Sequence, residues 1–290
     1  MIVKDGVPMQ GVVHFSERTL QHFKRVQALL DRLDPQGEPE ALIVPGSARP
    51  RDAVIVFTGS FNPPTTAHLA MLQEARRYAQ QHESMHIYAA ISKHTVDKES
   101  VERPLLLDRI VLLQKLLGRR VPETGILLFN RGLYVDQAEA VQRSFPEVKQ
   151  IFFLMGFDKI VQILDPRYYQ DRDTALRDLF QRAELLVTPR GNDGEKELED
   201  LIQKPQNRQF AQYIHPLPLN RTYRDISSSQ VRQRANGYTH EVPQEVRRFM
   251  RMTRAYEPPL KRADGSEIDY YGERMKRLNA LLHRQPASRG

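Results

Sequence analysis

AVIVFTGSFNPPTTAHL, residues 53–69, decides the fold. Five apolar residues run into a Gly-Ser pair, two prolines, two threonines and then the start of an apolar helix pattern. A strand that turns at once into a helix leaves free helix amides facing the turn, which favours an anion there. Gly59 and Ser60 are small enough for the backbone to approach such an anion, and Asn62 or Thr65 can cap the helix. His68 falls on the first helical turn, where side chains lean back toward the N-terminus and so toward the cradle. A neutral or protonated imidazole there can donate to a phosphoryl oxygen as charge builds on it. On this stretch alone, a polar turn with a merely capping histidine remains open.

Outward from this unit, short apolar runs alternate with amphipathic helices. The strands expected are 53–58, 85–91, 125–129, 149–155, 184–188 and 212–217, with helices at 66–81, 104–117, 135–145 and 171–182. That alternation implies an α/β fold, a doubly wound parallel sheet covered on both faces, binding ligands beyond the carboxyl ends of its strands. Two further helices are expected at 227–236 and 243–255, and a basic helix ends near His283. Ahead of the core, residues 15–34 carry helical periodicity, and the Pro- and Gly-rich stretch after them reads as a connector. The division expected is a helical extension and linker over 1–50, a catalytic domain over 51–256 and a basic tail over 257–290.

A second chemical cluster lies near the far end, RTYRDISSSQVR, residues 221–232. Hydroxyls opening a helix offer caps and donors for phosphate oxygens. Arg232 shares a face with Ser228 and Ser229, and its planar fork suits phosphates. A capped surface helix with an incidental arginine is the plain alternative. In the middle, one strand ends in Gly156-Phe157-Asp158, where glycine leaves room for a base or ribose and the carboxylate can accept from ribose hydroxyls.

Together these stretches carry a resemblance. GSFNPPTTAH is similar to the (H/T)-x-G-H signature and G-[ST]-F-[DN]-P lead-in of the nucleotidylyltransferase superfamily, in particular the nicotinamide and nicotinate mononucleotide adenylyltransferases. DISSSQVR resembles the I-S-S-[ST]-x-[IV]-R element of the same enzymes, and the Gly156–Asp158 stretch their G-x-D. DPRYY, residues 165–169, ELLVTPRG, residues 184–191, and the helix from Pro243 to Tyr256 also resemble family segments. The resemblance spans about residues 53–256.

It implies a Rossmann-like nucleotidylyltransferase fold and transfer of AMP from ATP to a pyridine mononucleotide. His68, Thr65 and Arg232 would be catalytic. Gly59, Ser60, Phe61, Arg190, Ser228 and Ser229 would join His68 and Arg232 around ATP. Gly156 and Asp158 would contact the acceptor. The family commonly stacks the pyridine on a tryptophan, and this chain has none, so Tyr134 or Tyr168 would substitute. In the long loop after the second strand, Lys93 or Lys98 could reach the triphosphate, a solvated loop lysine being the plain alternative, and Arg109, similar to the family's H-R-x-x-M-L arginine, is given a structural role. Magnesium would arrive with ATP, held by phosphate oxygens and waters, and no metal-ligating residue is named. Thr65 and Ala67 depart from the histidine and glycine usual at their positions. Two alternatives stay open: another adenylyl- or cytidylyltransferase, such as the pantetheine-phosphate type, and a nucleotide-binding protein with weakened turnover.

Composition narrows the rest. The chain has 290 residues, 40% hydrophobic and 27% charged, with no cysteine. Disulfides, thiolate zinc sites and cysteine nucleophiles are excluded. No run approaches the roughly 20 apolar residues of a membrane span, and the N-terminus lacks a signal-peptide pattern, so the cytoplasm is the expected compartment and no membrane partner is expected. Of the +7 net charge, much sits from Glu245 onward, where eleven basic residues face six acidic ones. The remainder is nearly balanced, and nucleic acid is not an expected partner. Small-molecule substrates are expected, and a homo-oligomer is compatible with the sequence. His82-Glu-Ser-Met-His86 spells the zinc-protease pattern, but the second histidine is placed in a strand, too far along to share a metal.

Overall fold

The computed structural model describes residues 16–82, 85–93, 103–192, 194–233 and 240–283. It opens with α1 (Glu17–Arg32) and β1 (Ala41–Ile43), followed by β2 (Asp52–Thr58), α2 (Thr66–Gln80) and β3 (Met85–Ser92). Next come α3 (Leu106–Arg120), β4 (Gly125–Phe129), α4 (Tyr134–Ser144), β5 (Val148–Gly156), α5 (Phe157–Leu164) and α6 (Arg172–Phe180). Then follow β6 (Glu184–Thr188), α7 (Gly194–Gln203), β7 (Ile214–Pro216), α8 (Arg221–Arg224), α9 (Ser228–Gln233) and α10 (Gln244–Thr253). A small hairpin, β8 (Leu260–Lys261) and β9 (Glu267–Ile268), leads to α11 (Tyr270–Leu282).

Seven strands form one sheet in the order β1-β4-β3-β2-β5-β6-β7, parallel except for β1. The strand order reverses between β2 and β5, and such a switch point opens a crevice at the carboxyl ends of the two strands. Along β2, Ile55 and Phe57 enter one hydrophobic core while Val54 and Val56 enter the other. This period-two alternation explains why the strands read as continuous apolar runs: both faces are covered. One core holds residues from α1, α2, α3, α10 and α11, the other from α4, α5, α6 and α7. At Gly125 a side chain would meet the Tyr88 ring at 2.5 Å, so only glycine lets β4 lie against that buried tyrosine.

The expected sheet and its flanking helices are present, with shifted ends and some additions. Part of the stretch read as a connector is β1, paired antiparallel with β4. Three residues are too few to show a period. The tertiary support comes from Asn130, whose Oδ1 accepts from Glu40 N–H at 2.9 Å and whose Nδ2 donates to the Asp34 and Glu38 carbonyls. The short helices α5 and α7 were not expected, and residues 212–213 belong to a 3₁₀ turn rather than to β7. The end of the expected 227–236 helix, 234–236, lies outside the described residues. No described helix is long and apolar enough to cross a membrane.

α11 is fastened to α3 by a buried ion pair. Asp108, in the first turn of α3, accepts from Arg274 Nη2 at 2.6 Å and Nε at 3.1 Å. The Tyr271 hydroxyl lies 3.5 Å from the same carboxylate and also accepts from the Leu105 N–H. Arg103 pairs with Asp269 and covers the Tyr271 ring. The Asp108 side chain is only 2% exposed, and removing one partner of a buried pair costs about 3 kcal/mol or more. Asp108→Ala is therefore expected to lower the unfolding free energy by about that amount, read from the urea midpoint at an unchanged slope.

Candidate active site

A cleft of about 370 Å³ opens where β2 and β5 diverge, lined by the end of β2, the start of α2, the ends of β5 and β6, and the α8–α9 segment. A larger cavity, about 630 Å³, lies around Gly46, Met85 and Ile126 at the opposite end of the sheet and gathers none of the motif residues.

His68 sits at one wall of the cleft, held by a capping box. Thr65, not Asn62, is the cap: its Oγ1 accepts from the His68 N–H, and its own N–H donates to His68 Nδ1 at 2.9 Å. An amide can only donate, so Nδ1 is the unprotonated nitrogen and the neutral ring carries its proton on Nε2. The ring packs beside Phe57 and Phe61, with centroids 5.7 and 5.1 Å away. Burial lowers its pKa to about 4. Of the two expected forms, the structure favours the neutral donor. Thr65 is buried and does not line the cleft; it orients the imidazole.

The loop before α2 differs from the expected open cradle. Gly59 borders the cleft, but its N–H donates to the Ala90 carbonyl, continuing the sheet. Thr66 N–H is taken by the Glu241 carbonyl, while Ala67 N–H, beside the cleft, has no partner among the described residues. Phe61 is buried at a left-handed φ of 44°, a conformation costing a non-glycine residue about 1 kcal/mol. It is a wedge under the histidine and does not line the cleft. Ser60 is exposed, its carbonyl accepting from Arg109.

The second motif docks onto this loop. Ser227 caps α9 in a box with Gln230, leaving Ser228 Oγ to donate to the Pro63 carbonyl at 2.8 Å. Arg232 Nη1 donates to the Asn62 carbonyl at 2.6 Å, and its Nη2 to Ser229 Oγ at 3.2 Å. Asn62 is itself buried, its Oδ1 accepting from the Tyr256 hydroxyl at 2.7 Å and its Nδ2 donating to the Arg103 carbonyl at 3.3 Å. The two motifs therefore meet as expected, but unevenly. Ser228 lines the cleft, whereas Ser229 and Arg232 lie beside the loop outside its lining.

Across the cleft, Gly156 caps α5, and a side chain there would meet nothing nearer than Thr188 Oγ1 at 4.0 Å. The protein leaves that space open. Asp158, in the first turn of α5, is ion-paired with Arg190 after β6, joining a residue expected at the acceptor to one expected at ATP. Tyr134 lines the cleft edge-on to Phe153, and burial holds its phenol protonated far above its usual range. Tyr168 is 64% exposed on a 3₁₀ turn and is not part of the lining, so of the two expected tyrosines only Tyr134 borders the cleft. Lys93 does not reach for phosphate: its Nζ donates to the Leu30 and Leu33 carbonyls, capping the end of α1. Lys98 lies outside the described residues.

Sequence reasoning missed a polar floor. Thr58 Oγ1 donates to Gln137 Oε1 at 2.7 Å, and Gln137 Nε2 donates to Ser92 Oγ and the Gly132 carbonyl. A glutamine on the apolar face of α4, beside Ala138 and Val141, was the available signal. Lys159 and Arg224 also line the cleft; Lys159 Nζ donates to Gln162 and Arg224 pairs with Glu195.

The cytidylyltransferase-like family profile matches residues 56–234, which contain the cleft and both motifs. A Schizosaccharomyces pombe protein provisionally named a nicotinamide mononucleotide adenylyltransferase is 26% identical over 57% of this chain. The match spans 59% of that protein's own length. A Thermosipho melanesiensis protein provisionally named a nicotinate-nucleotide adenylyltransferase is 28% identical over 64% of this chain and 86% of its own. A solved Vibrio parahaemolyticus structure bearing the same kind of name aligns at a TM-score of 0.40 and 12% identity, covering 71% of this chain and 95% of its own. On the family match, and with the strand order around the cleft, the chain belongs to the cytidylyltransferase-like family of nucleotidyltransferases.

Proposed function

We propose that this protein transfers AMP from MgATP to nicotinamide or nicotinate mononucleotide, releasing pyrophosphate and forming NAD or its deamido form. One observation carries the reading. His68 presents a neutral Nε2–H to a cleft at the switch point, and Ser228, from the far end of the chain, is bonded to the same loop. The names of the relatives support the choice of acceptor.

In this reaction a phosphate oxygen of the mononucleotide attacks the α-phosphorus of ATP in line. The bond from that phosphorus to the bridging oxygen breaks, and pyrophosphate leaves with the electron pair. Catalysis is mostly positioning and charge stabilisation. The Nε2–H of His68 donates to the oxygen on which charge grows and keeps its proton throughout. Ala67 N–H and Ser228 border the α-phosphate, with Ser229 and Arg232 toward the triphosphate end. Gly156 and Asp158 sit where a ribose would lie, Arg190 holds Asp158 in place, and Tyr134 offers a ring to the base. Magnesium comes as the counterion of ATP, part of the co-substrate. The carboxylate in the cleft, Asp158, is engaged by Arg190, so the ion's ligands would be phosphate oxygens and waters.

A second reading, nucleotide binding with little turnover, draws on the position of Ser229 and Arg232 outside the cleft lining and on the absent tryptophan. Pyrophosphate release separates the readings. The expected result is release from ATP with either pyridine mononucleotide, and none from CTP or with phosphopantetheine. Release with phosphopantetheine instead would reassign the acceptor, and nucleotide binding without release would favour the second reading.

His68→Ala is expected to lower kcat by about 100-fold or more with little change in the unfolding midpoint. Unchanged turnover would remove His68 from the mechanism. The pH profile follows from the lowered pKa. The active form is the neutral ring, so its share stays near one as pH falls past the ordinary histidine value of about 6.5 and is lost only toward pH 4. An acid limb centred near 6.5 and abolished in His68→Ala would show a solvated, protonatable ring.

A further inference from the structure

Arg224, at the end of α8, lines the cleft but has its charge engaged elsewhere. Only 6% of its side chain is exposed, and its guanidinium joins separate segments of the chain. Nε donates to the Leu219 carbonyl, between β7 and α8, at 2.9 Å. Nη1 donates to the Gly191 carbonyl, between β6 and α7, at 3.2 Å, and to Glu195 Oε2, in the first turn of α7, at 2.8 Å. Nη2 donates to the other oxygen of the same carboxylate. A carboxylate held by both its oxygens and two carbonyls at fixed angles form a set that a planar fork satisfies and a lysine does not.

The bond to Gly191 bears on the site. Gly191, left-handed at a φ of 66°, directly follows Arg190, so fixing its carbonyl fixes the backbone beside Arg190. The Arg190 side chain reaches Asp158 on α5, and both residues line the cleft. Their side chains are 39% and 60% exposed. An exposed pair is ordinarily weak, because holding two long side chains in one geometry costs rotamer freedom, and a fixed backbone lowers that cost. At its other end, Arg224 belongs to the segment whose Ser228 is bonded to the loop before α2. One guanidinium thus ties the wall that carries Arg190 to the wall that carries Ser228.

We propose that Arg224 is a positioning residue for the cleft: it sets Arg190, and through it Asp158, in the place where a bound nucleotide meets them. The assignment rests on the nucleotide-transfer reading above and adds to it a residue to which the sequence assigned no role. Glu195 neutralises Arg224, so the effect passes through geometry and not through charge offered to a phosphate.

The test is a double-mutant cycle of Arg224→Met with Arg190→Ala in the full chain, read by steady-state kinetics and by calorimetric titration of ATP. Arg224→Met alone is expected to lower kcat/KM about tenfold or more and to weaken ATP binding. With Arg190→Ala already present, it is expected to add less than about twofold, because residues that act through one contact are not additive. A purely structural Arg224 costs the same factor in both backgrounds, and that additivity overturns the assignment. Arg224→Lys, which can pair with Glu195 but not hold both carbonyls, is expected to recover part of the loss and takes the place of the methionine variant if that folds poorly. Full activity and ATP affinity in both Arg224 variants also overturn the assignment. If the unaltered protein binds ATP without transferring AMP, the cycle is read on ATP affinity alone: coupling there upholds the role of Arg224 and rejects the reaction, and additivity rejects the role. An unaltered protein that binds no ATP overturns the assignment, because the tie then serves no nucleotide.

Discussion

Two backbone carbonyls in the loop between β2 and α2 organise the site. Those of Asn62 and Pro63 accept from Arg232 and Ser228, residues 170 and 165 positions further along. A polar loop at a sheet edge cannot leave buried acceptors unmade, and losing one partner exposes the full desolvation penalty of the other. The loop between β2 and α2 therefore depends on the carboxyl-terminal part of the chain for its shape. Asn62 extends the dependence to Tyr256 and to the start of α3. Through α3 it reaches the Asp108–Arg274 pair and α11. The helices on one face of the sheet thus take part in the site, and α1 and α11 share the core that backs it.

The chemistry of His68 follows from a capping motif. A threonine at the helix start satisfies one amide, the histidine satisfies another, and the reciprocity fixes the ring's tautomer and direction. Burial then fixes its charge. Thr65 serves this purpose by virtue of its hydroxyl and backbone N–H. The methyl group of Ala67 removes no backbone donor from the loop.

Much of this was legible in the sequence. The strand and helix around 53–69 and the serine-rich start at 227 are local patterns, and these elements are found where expected. The parallel sheet followed from apolar runs between amphipathic helices. What stayed hidden was tertiary. β1 exists because Asn130 and β4 hold it, and three residues carry no periodicity. Lys93 could not be told from a phosphate ligand until the open end of α1 was seen beneath it. Tyr134 and Tyr168 look alike as sequence, yet one lines the cleft and the other faces solvent, a difference set by how a turn docks.

The central claim is that one triphosphate spans both motifs. A crystal structure of the protein with a non-hydrolysable ATP analogue tests it most directly. The account places the α-phosphate within hydrogen-bond reach of His68 Nε2 and the terminal phosphates over the 60–63 loop beside Ser229 and Arg232. An analogue bound in the cleft with its phosphates directed away from that loop, or bound elsewhere on the molecule, would contradict it.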